Sequence, residues 1–81
     1  MSHWNPEPFL QTLEAISGEL HEAKAPNAEG FDAYRAVQER GIRYAQQLGL
    51  PADLGYEIGQ SSRSVPEVES RLERIAREGR A

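Results

Sequence analysis

Apolar residues recur every three or four positions in the first part of the chain, which is the spacing of one face of an α-helix. Asn5 followed by Pro6 is a typical helix start, because Asn caps free N–H groups and Pro fits the first helical position. Trp4 and Phe9 are spaced as a hydrophobic staple, so we expect Trp4 to pack on the first turn rather than to bind a ligand. The predicted helix ends near Lys24. Its apolar stripe comprises Phe9, Leu10, Leu13, Ile16, Leu20 and Ala23.

A second helical pattern follows a predicted loop over residues 25–30, which contains proline, asparagine and glycine. Tyr34 lies near the centre of the new stripe, so we predict a core position for this tyrosine. Gly49 predicts the end of the helix, with Pro51 two residues later. The stripe comprises Phe31, Tyr34, Val37, Gly41, Ala45 and Leu48, with Ile42 and Tyr44 at its edges.

Residues 50–60 have the least regular pattern in the chain. Gly55 and Gly59 weaken any helix here, so we predict either an irregular piece or a short helical turn. The two glycines have the spacing that brings helices together in membranes, but their flanks are polar. We therefore interpret them as turn or bend residues.

The last element has clear helix signals. Ser64 and Glu67 have the spacing of a capping box, which predicts a helix that runs to about Glu78. The apolar stripe of this helix comprises Val65, Val68, Leu72, Ile75 and Ala76. The pairs with the i,i+4 spacing of helix ion pairs are Glu67 with Arg71 and Glu73 with Arg77.

Three amphipathic helices and a short irregular or helical segment predict an all-α fold, a small orthogonal or antiparallel bundle. We expect residues 1–81 to form a single domain, because two domains usually need a longer chain. A chain this short buries only about 60% of its unfolded surface, so its stability margin should be thin. Association with a second copy would widen that margin.

The composition excludes several classes of protein. The chain has no cysteine, 13 acidic and 9 basic residues, and a net charge of -4. Without cysteine there is no disulfide framework and no zinc site of the cysteine type. The negative charge argues against nucleic acid as a partner and is compatible with a basic protein partner. The apolar runs are too short for a membrane span or a signal peptide, so we expect a cytoplasmic protein.

Few residues offer catalytic or metal-binding chemistry. His21 lacks a second histidine at zinc-motif spacing, and we interpret it as a solvated residue beside Glu14. Asp53 and Glu57 are four residues apart and would share a helix face, but the sequence shows no third ligand. No serine lies in a nucleophile motif. We therefore expect no enzyme, no cofactor and no metal site.

Tyrosines offer better candidates for function, because aromatic residues anchor many protein interfaces. Tyr44 lies at the edge of the second stripe and Tyr56 lies in the irregular segment, so either residue can belong to the core edge or to an interface. Leu54 precedes Tyr56 closely in the chain. We predict that a patch of Leu54, Tyr56 and Tyr44 binds the partner.

The stretch Asp53-Leu54-Gly55-Tyr56 lies between the second long helix and a final helix that starts with serine and proline. It resembles the short third helix of the DNase colicin and pyocin immunity proteins, which carries the pattern Asp-Leu-x-Tyr-Tyr-Pro. Phe9-Leu10-Gln11 is similar to the first helix of that family. The resemblance implies a four-helix bundle that neutralises a basic nuclease by occluding its nucleic-acid surface. It also implies that Tyr56 is an interface anchor and that Asp53 is a polar contact beside it.

Two features of the chain differ from the pattern of that family. Glu57 and Ile58 stand where the family has its second tyrosine and its proline. The second helix carries basic residues where the family has an acidic, partner-specific face. These residues are Arg35, Arg40 and Arg43.

Two classes of function remain open. The first is a small acidic helical protein-binding module, such as an inhibitor or an immunity-type protein, that occludes its partner. The second is a structural protein in which the stripes of the first two helices form the seam of a symmetric homodimer. The first class predicts a folded monomer, and the second predicts stability that depends on protein concentration.

Overall fold

The computed structural model describes residues 4–79 of the chain, which contain four α-helices. These are α1 (Glu7–Glu22), α2 (Ala28–Gln47), α3 (Ala52–Gln60) and α4 (Val65–Glu78). The described residues contain no β-strand, which confirms the all-α prediction. The segment that separates α2 from the last helix is itself helical, so the helical alternative for that segment is confirmed.

The two long helices end with the same hydrogen-bonded turn. Beyond α1, Lys24 has a left-handed φ of 54°, and the next N–H donates to the carbonyl of Leu20 at 2.9 Å. Beyond α2, Gly49 has a φ of 79°, and the next N–H donates to the carbonyl of Ala45 at 2.8 Å. Both are Schellman motifs, in which a left-handed residue closes the helix. The predicted stop at Gly49 is confirmed.

The start of α2 differs from the prediction. The helix begins at Ala28, so the prediction of a loop that extends to Gly30 is wrong. Ala28 is buried, and the N–H of Phe31 donates to the carbonyl of Asn27 at 3.0 Å. Packing of the buried alanine outweighs the low helix propensity of the exposed Gly30.

α1 and α2 form an antiparallel hairpin. Near the end of α2, Arg43 donates two hydrogen bonds to Glu7 at the start of α1, at 2.8 and 3.2 Å. Towards the opposite end, Ser17 donates to Asp32 at 2.6 Å. The buried apolar side chains of this hairpin are Leu10, Leu13 and Ile42. The stripes of the first two helices therefore pack against each other within one chain.

α2 and α3 cross with their backbones in direct contact. A Cβ atom on Gly55 would lie 2.3 Å from the carbonyl oxygen of Gly41 and 2.8 Å from the Cβ of Ala45. A Cβ atom on Gly41 would lie 2.7 Å from the carbonyl oxygen of Gly55. Only glycine fits at both positions. The prediction that Gly55 and Gly59 are turn or bend residues is wrong, because both are buried within α3.

A buried amide fixes the position of α3 along α2. Gln38 is 1% exposed, and its Nε2 donates to the carbonyl of Gly59 at 3.0 Å. Its Oε1 accepts a hydrogen bond from Gln60 at 2.8 Å. An unpaired amide in this position would cost about 1–3 kcal/mol. Sliding α3 by one turn would break both bonds, so Gln38 selects a single register.

α4 runs parallel to α2 and closes a second apolar cluster. Its buried members are Val37, Ala45, Val68 and Leu72. Along the edge of this interface Arg40 donates to Glu69, and one turn further Tyr44 donates to Glu73. The prediction of an ion pair between Glu73 and Arg77 is wrong, because no such pair forms within residues 4–79 and Glu73 accepts from Tyr44 instead.

The start of α4 is confirmed. Ser64 Oγ accepts a hydrogen bond from the N–H of Glu67 at 3.3 Å. The predicted ion pair between Glu67 and Arg71 does not form in the described chain. Arg71 instead donates to Ser61 Oγ at 2.8 Å and to Ser62 Oγ at 3.0 Å, beyond the last turn of α3. A cation at a helix C-terminus is favourable, so Arg71 helps to end α3.

The molecule is elongated, with extents of 49 × 27 × 16 Å. Its radius of gyration is 13.7 Å, against about 12 Å for a compact chain of this length. The Cα atoms of α1 approach those of α2, but none lies within 8 Å of a Cα atom of α3 or α4. Ile16 on α1 consequently stays 37% exposed. Tyr34 is 42% exposed, so its predicted core position is wrong.

We expect Gly55→Ala to lower the free energy of unfolding by about 3 kcal/mol, the upper end of the usual cost of overpacking, because the added methyl group would overlap the Gly41 backbone. The matched control is Gly18→Ala in α1, where a new Cβ meets no atom within 4 Å. That alanine should raise stability by about 0.5–1 kcal/mol. Urea unfolding followed by circular dichroism measures both variants. Equal stability of the two would contradict the close crossing.

Candidate functional site

The residues before α1 fold onto its first turn and bring three aromatic rings together. Asn5 Oδ1 accepts the N–H of Glu7 at 3.1 Å, as predicted. The ring centroids of Trp4 and Phe9 are 6.1 Å apart, which confirms the staple. The ring of Tyr56 lies 5.3 Å from that of Trp4 and 5.1 Å from that of Phe9. The rings therefore join the N-terminal segment, α1 and α3.

An open groove of about 530 Å³ lies among these rings. It is lined by Trp4, Phe9, Asp53 and Tyr56, and we call it the aromatic groove. A second depression of about 390 Å³ shares Trp4 and Asp53 with it and extends along the turn between α2 and α3. Trp4 is 39% exposed. It packs as predicted, and it also presents ring surface to the groove.

One carboxylate of α3 lines the groove, and a second lies one turn further along the helix. Asp53 is exposed in the first turn, where its Oδ1 accepts the N–H of Leu54 at 3.0 Å. Glu57 is exposed one turn further along the same side of the helix. Neither carboxylate takes part in an ion pair within residues 4–79. Among the described residues, the one ionisable carboxylate that lines the groove is that of Asp53.

The structure brings together two of the four predicted partner-binding residues. Asp53 and Tyr56 line the aromatic groove. Leu54 is half-buried. It points to a different side of α3 from Tyr56, because residues two positions apart on a helix do not share a face. Tyr44 lines a separate depression of about 380 Å³ between α2 and α4. The predicted patch is therefore divided over different surfaces.

Tyr44 is engaged by side chains of its own chain. The guanidinium carbon of Arg40 lies 4.3 Å from the centroid of the Tyr44 ring. The hydroxyl group donates to Glu73. This hydrogen bond, followed by burial, raises the pKa of Tyr44 above its usual value of 10.0. One face and the polar end of Tyr44 are thus already occupied.

Trp4 and Phe9 are the residues of the groove that the partner-site prediction did not include. Phe9 was assigned to the stripe of the first helix, and Trp4 was assigned to packing. One sequence signal was available, because tryptophan is rarely fully buried and the chain has only one. The contact of both rings with Tyr56 depends on the α2–α3 crossing, which the sequence pattern did not reveal.

A second polar cluster joins α1 to α2. Ser17 Oγ donates to Asp32 Oδ1 at 2.6 Å, and His21 Nε2 lies 2.6 Å from Asp32 Oδ2. The His21 side chain is 52% exposed, so its solvated position is confirmed, but its polar partner Asp32 was not predicted. In a catalytic triad the histidine contacts the serine and removes its proton. Here the carboxylate lies between them, so the arrangement ties two helices together and does not activate the hydroxyl group.

Residues 4–79 contain neither a cluster of metal-binding side chains nor a helix suited to crossing a bilayer. No three histidine, aspartate or glutamate side chains of residues 4–79 lie close enough together to hold a metal ion. The pair Asp53 and Glu57 accordingly has no third ligand in this range. Among the described helices, none combines the length and the apolar character needed to cross a bilayer.

The chain was also compared with known proteins. No protein-family model matches it. Searches of curated proteins and of solved structures find no significant match. The resemblance of residues 53–56 to the immunity proteins therefore stays a prediction.

We expect stability to fall as the pH drops below about 4, and part of this loss to come from Asp32. Hydrogen bonds from Ser17 and then from His21 lower the pKa of Asp32 below its usual value of 3.8. A lowered folded-state pKa stabilises the fold above the unfolded value, and this stabilisation is lost on acidification. Urea unfolding between pH 6 and about 2 should show a shallower decline for Asp32→Asn than for the natural chain. Glu14→Gln, at an exposed position, should retain the natural slope.

Proposed function

We propose that the chain is a small acidic helical protein-binding module whose binding surface is the aromatic groove. The observation that carries this proposal is the position of Trp4. Its ring packs on Phe9 and Tyr56, yet it is 39% exposed on the wall of an open groove. Tryptophan and tyrosine are among the residues that contribute most binding energy at protein interfaces. An exposed aromatic cluster with polar residues at its rim is typical of such a surface.

The proposed partner is a basic protein. The chain carries a net charge of -4, and Asp53 lines the groove without an ion-pair partner in residues 4–79. Complementary charge accelerates encounter with a basic surface. The arginines of α2 do not oppose a basic partner, because Arg40 and Arg43 pair with Glu69 and Glu7. Arg35 lies 4.0 Å from Asp32.

An inhibitory or immunity-type form of this function follows from the resemblance of residues 53–56. The resemblance assigns partner contacts to Asp53 and Tyr56, and these two residues line the same groove. In this form the module covers the functional surface of a basic enzyme. We propose a cytoplasmic location, since a chain without cysteine needs no oxidising compartment to fold.

We expect Trp4→Ala to weaken binding to the partner by about 2 kcal/mol, roughly thirtyfold, because a central aromatic anchor is removed. The partner is first identified by mass spectrometry as a protein captured from an extract of the source organism by the tagged natural chain and lost with Trp4→Ala. Isothermal titration calorimetry with the purified partner then measures both affinities.

The matched control is Tyr34→Ala, which removes another exposed aromatic ring outside the groove. This variant should bind the partner with unchanged affinity. Circular dichroism must show the same helix content for both variants. Equal retention of the partner by Trp4→Ala and the natural chain would contradict the proposal.

Self-association as a structural homodimer is the second candidate function. It is favoured by one observation, the exposure of Ile16 on a helix whose backbone approaches only α2. A second copy could cover this part of α1 in a symmetric contact. The remainder of the α1 stripe is already used, because Leu10 and Leu13 are buried against Ile42.

We expect a monomer over a hundredfold range of concentration, measured by size-exclusion chromatography with light scattering, because the two apolar clusters close within one chain. If the chain is instead a dimer, Ile16→Lys should dissociate it and the exposed neighbour change Ala15→Lys should not. A dimer with that pattern would support the structural function in place of the binding module.

A further inference from the structure

We propose that the aromatic groove receives a cationic side chain, with arginine as its best occupant, from the basic partner. This inference rests on the proposed function and specifies what its binding surface recognises. The groove combines aromatic rings with the carboxylate of Asp53. An aromatic face attracts a cation through its quadrupole, and a nearby carboxylate adds a charge of the opposite sign.

The chain itself contains an arginine that contacts both an aromatic ring and a carboxylate. The guanidinium group of Arg40 lies 4.3 Å from the Tyr44 ring centroid and donates to the carboxylate of Glu69. The aromatic groove offers the same combination, a tyrosine ring at Tyr56 and a carboxylate at Asp53. None of the described residues that line the groove carries a positive charge. The internal site thus has a ring, a carboxylate and a cation, whereas the groove has the ring and the carboxylate but no cation among its described residues.

The groove is open to solvent and has room for a cationic side chain beside the rings. The rings of Trp4, Phe9 and Tyr56 pack on one another, with planes inclined by 51–89° and centroids 5.1–6.1 Å apart, so a cation would lie against the outer surface of the cluster next to Asp53. A space of about 530 Å³ is large enough for one side chain. Arginine fits better than lysine, because its planar guanidinium stacks on rings and bonds carboxylates.

The charges around the groove also favour a cation from outside the chain. Two arginines of the described chain already have partners elsewhere. Arg43 pairs with Glu7, and Arg71 donates to Ser61 at the end of α3. Asp53 uses Oδ1 for the N–H of Leu54, and Oδ2 accepts no hydrogen bond from residues 4–79. This oxygen is the acceptor that a guanidinium group would use.

The only tryptophan of the chain lies in the groove and reports on binding directly. The probe is the peptide acetyl-Gly-Arg-Gly-amide, and the reference probe replaces arginine with neutral citrulline of nearly the same shape. Both are titrated to about 50 mM at constant ionic strength, a range that detects millimolar affinity. The readouts are the fluorescence of Trp4 and the NMR signal of its indole N–H. We expect a saturable change with the arginine peptide and an affinity for the citrulline peptide at least about threefold weaker.

Two charge-matched variants assign the effect to the groove. Asp53→Asn should weaken the arginine peptide by about two- to fivefold, the size of one exposed cation contact. Glu29→Gln makes the same change in net charge in the first turn of α2, at the end opposite the groove. It should leave the affinity unchanged, and both variants should keep the natural helix content.

Equal binding of the arginine and citrulline peptides would overturn the inference and identify the groove as an apolar docking surface. An absence of any Trp4 response, or equal effects of Asp53→Asn and Glu29→Gln, would overturn it as well. The proposed function fails on a different result, the retention of the partner by Trp4→Ala. The two failures are therefore distinguishable.

Discussion

The structure depends on the contact between the backbones of α2 and α3. The carbonyl oxygen of Gly41 occupies the space in which any side chain on Gly55 would begin. Such an approach lets backbone atoms gain van der Waals contact along the crossing, as in helix pairs with small residues at their interface. α3 has only nine residues, and an isolated helix of that length is not stable in water. It exists because it packs on α2.

The crossing also positions the groove. Asp53 and Tyr56 belong to α3, whereas Trp4 and Phe9 belong to the other end of the chain. The hydrogen bonds from the buried Gln38 hold α3 in one register, and that register sets where Tyr56 meets the two rings. A change at the crossing therefore alters the groove without touching any residue that lines it. Loss of binding in a Gly55 variant would report on folding, whereas loss of binding in an Asp53 variant reports on the surface.

The periodicity of apolar residues was sufficient to predict α1, most of α2 and α4, because each buries one continuous stripe. It left α3 open between an irregular piece and a helical turn, since two glycines in nine residues lower helix propensity and the compensating contact comes from another helix. The long-range polar contacts were missed for a related reason. Arg71 and Glu73 have suitable partners within α4, but folding brings Ser61 and Tyr44 to them from other elements. Spacing in the sequence carries no information about such partners.

The site was predicted in part. Residue type and position predict Tyr56, the family resemblance implies Asp53, and both residues line one groove. The exposure of Trp4 and Tyr34 could not be read from the stripes, because a stripe predicts which side faces a neighbour but not how far the neighbour extends. α1 and α3 do not approach through their backbones. A side chain bound between Trp4 and Asp53 would bridge the N-terminal segment and α3. Binding there would stabilise the fold by mass action, about 2.7 kcal/mol at a hundredfold excess over Kd. Such an occupant would add to the side-chain contact that Phe9 of α1 already makes with Tyr56 of α3.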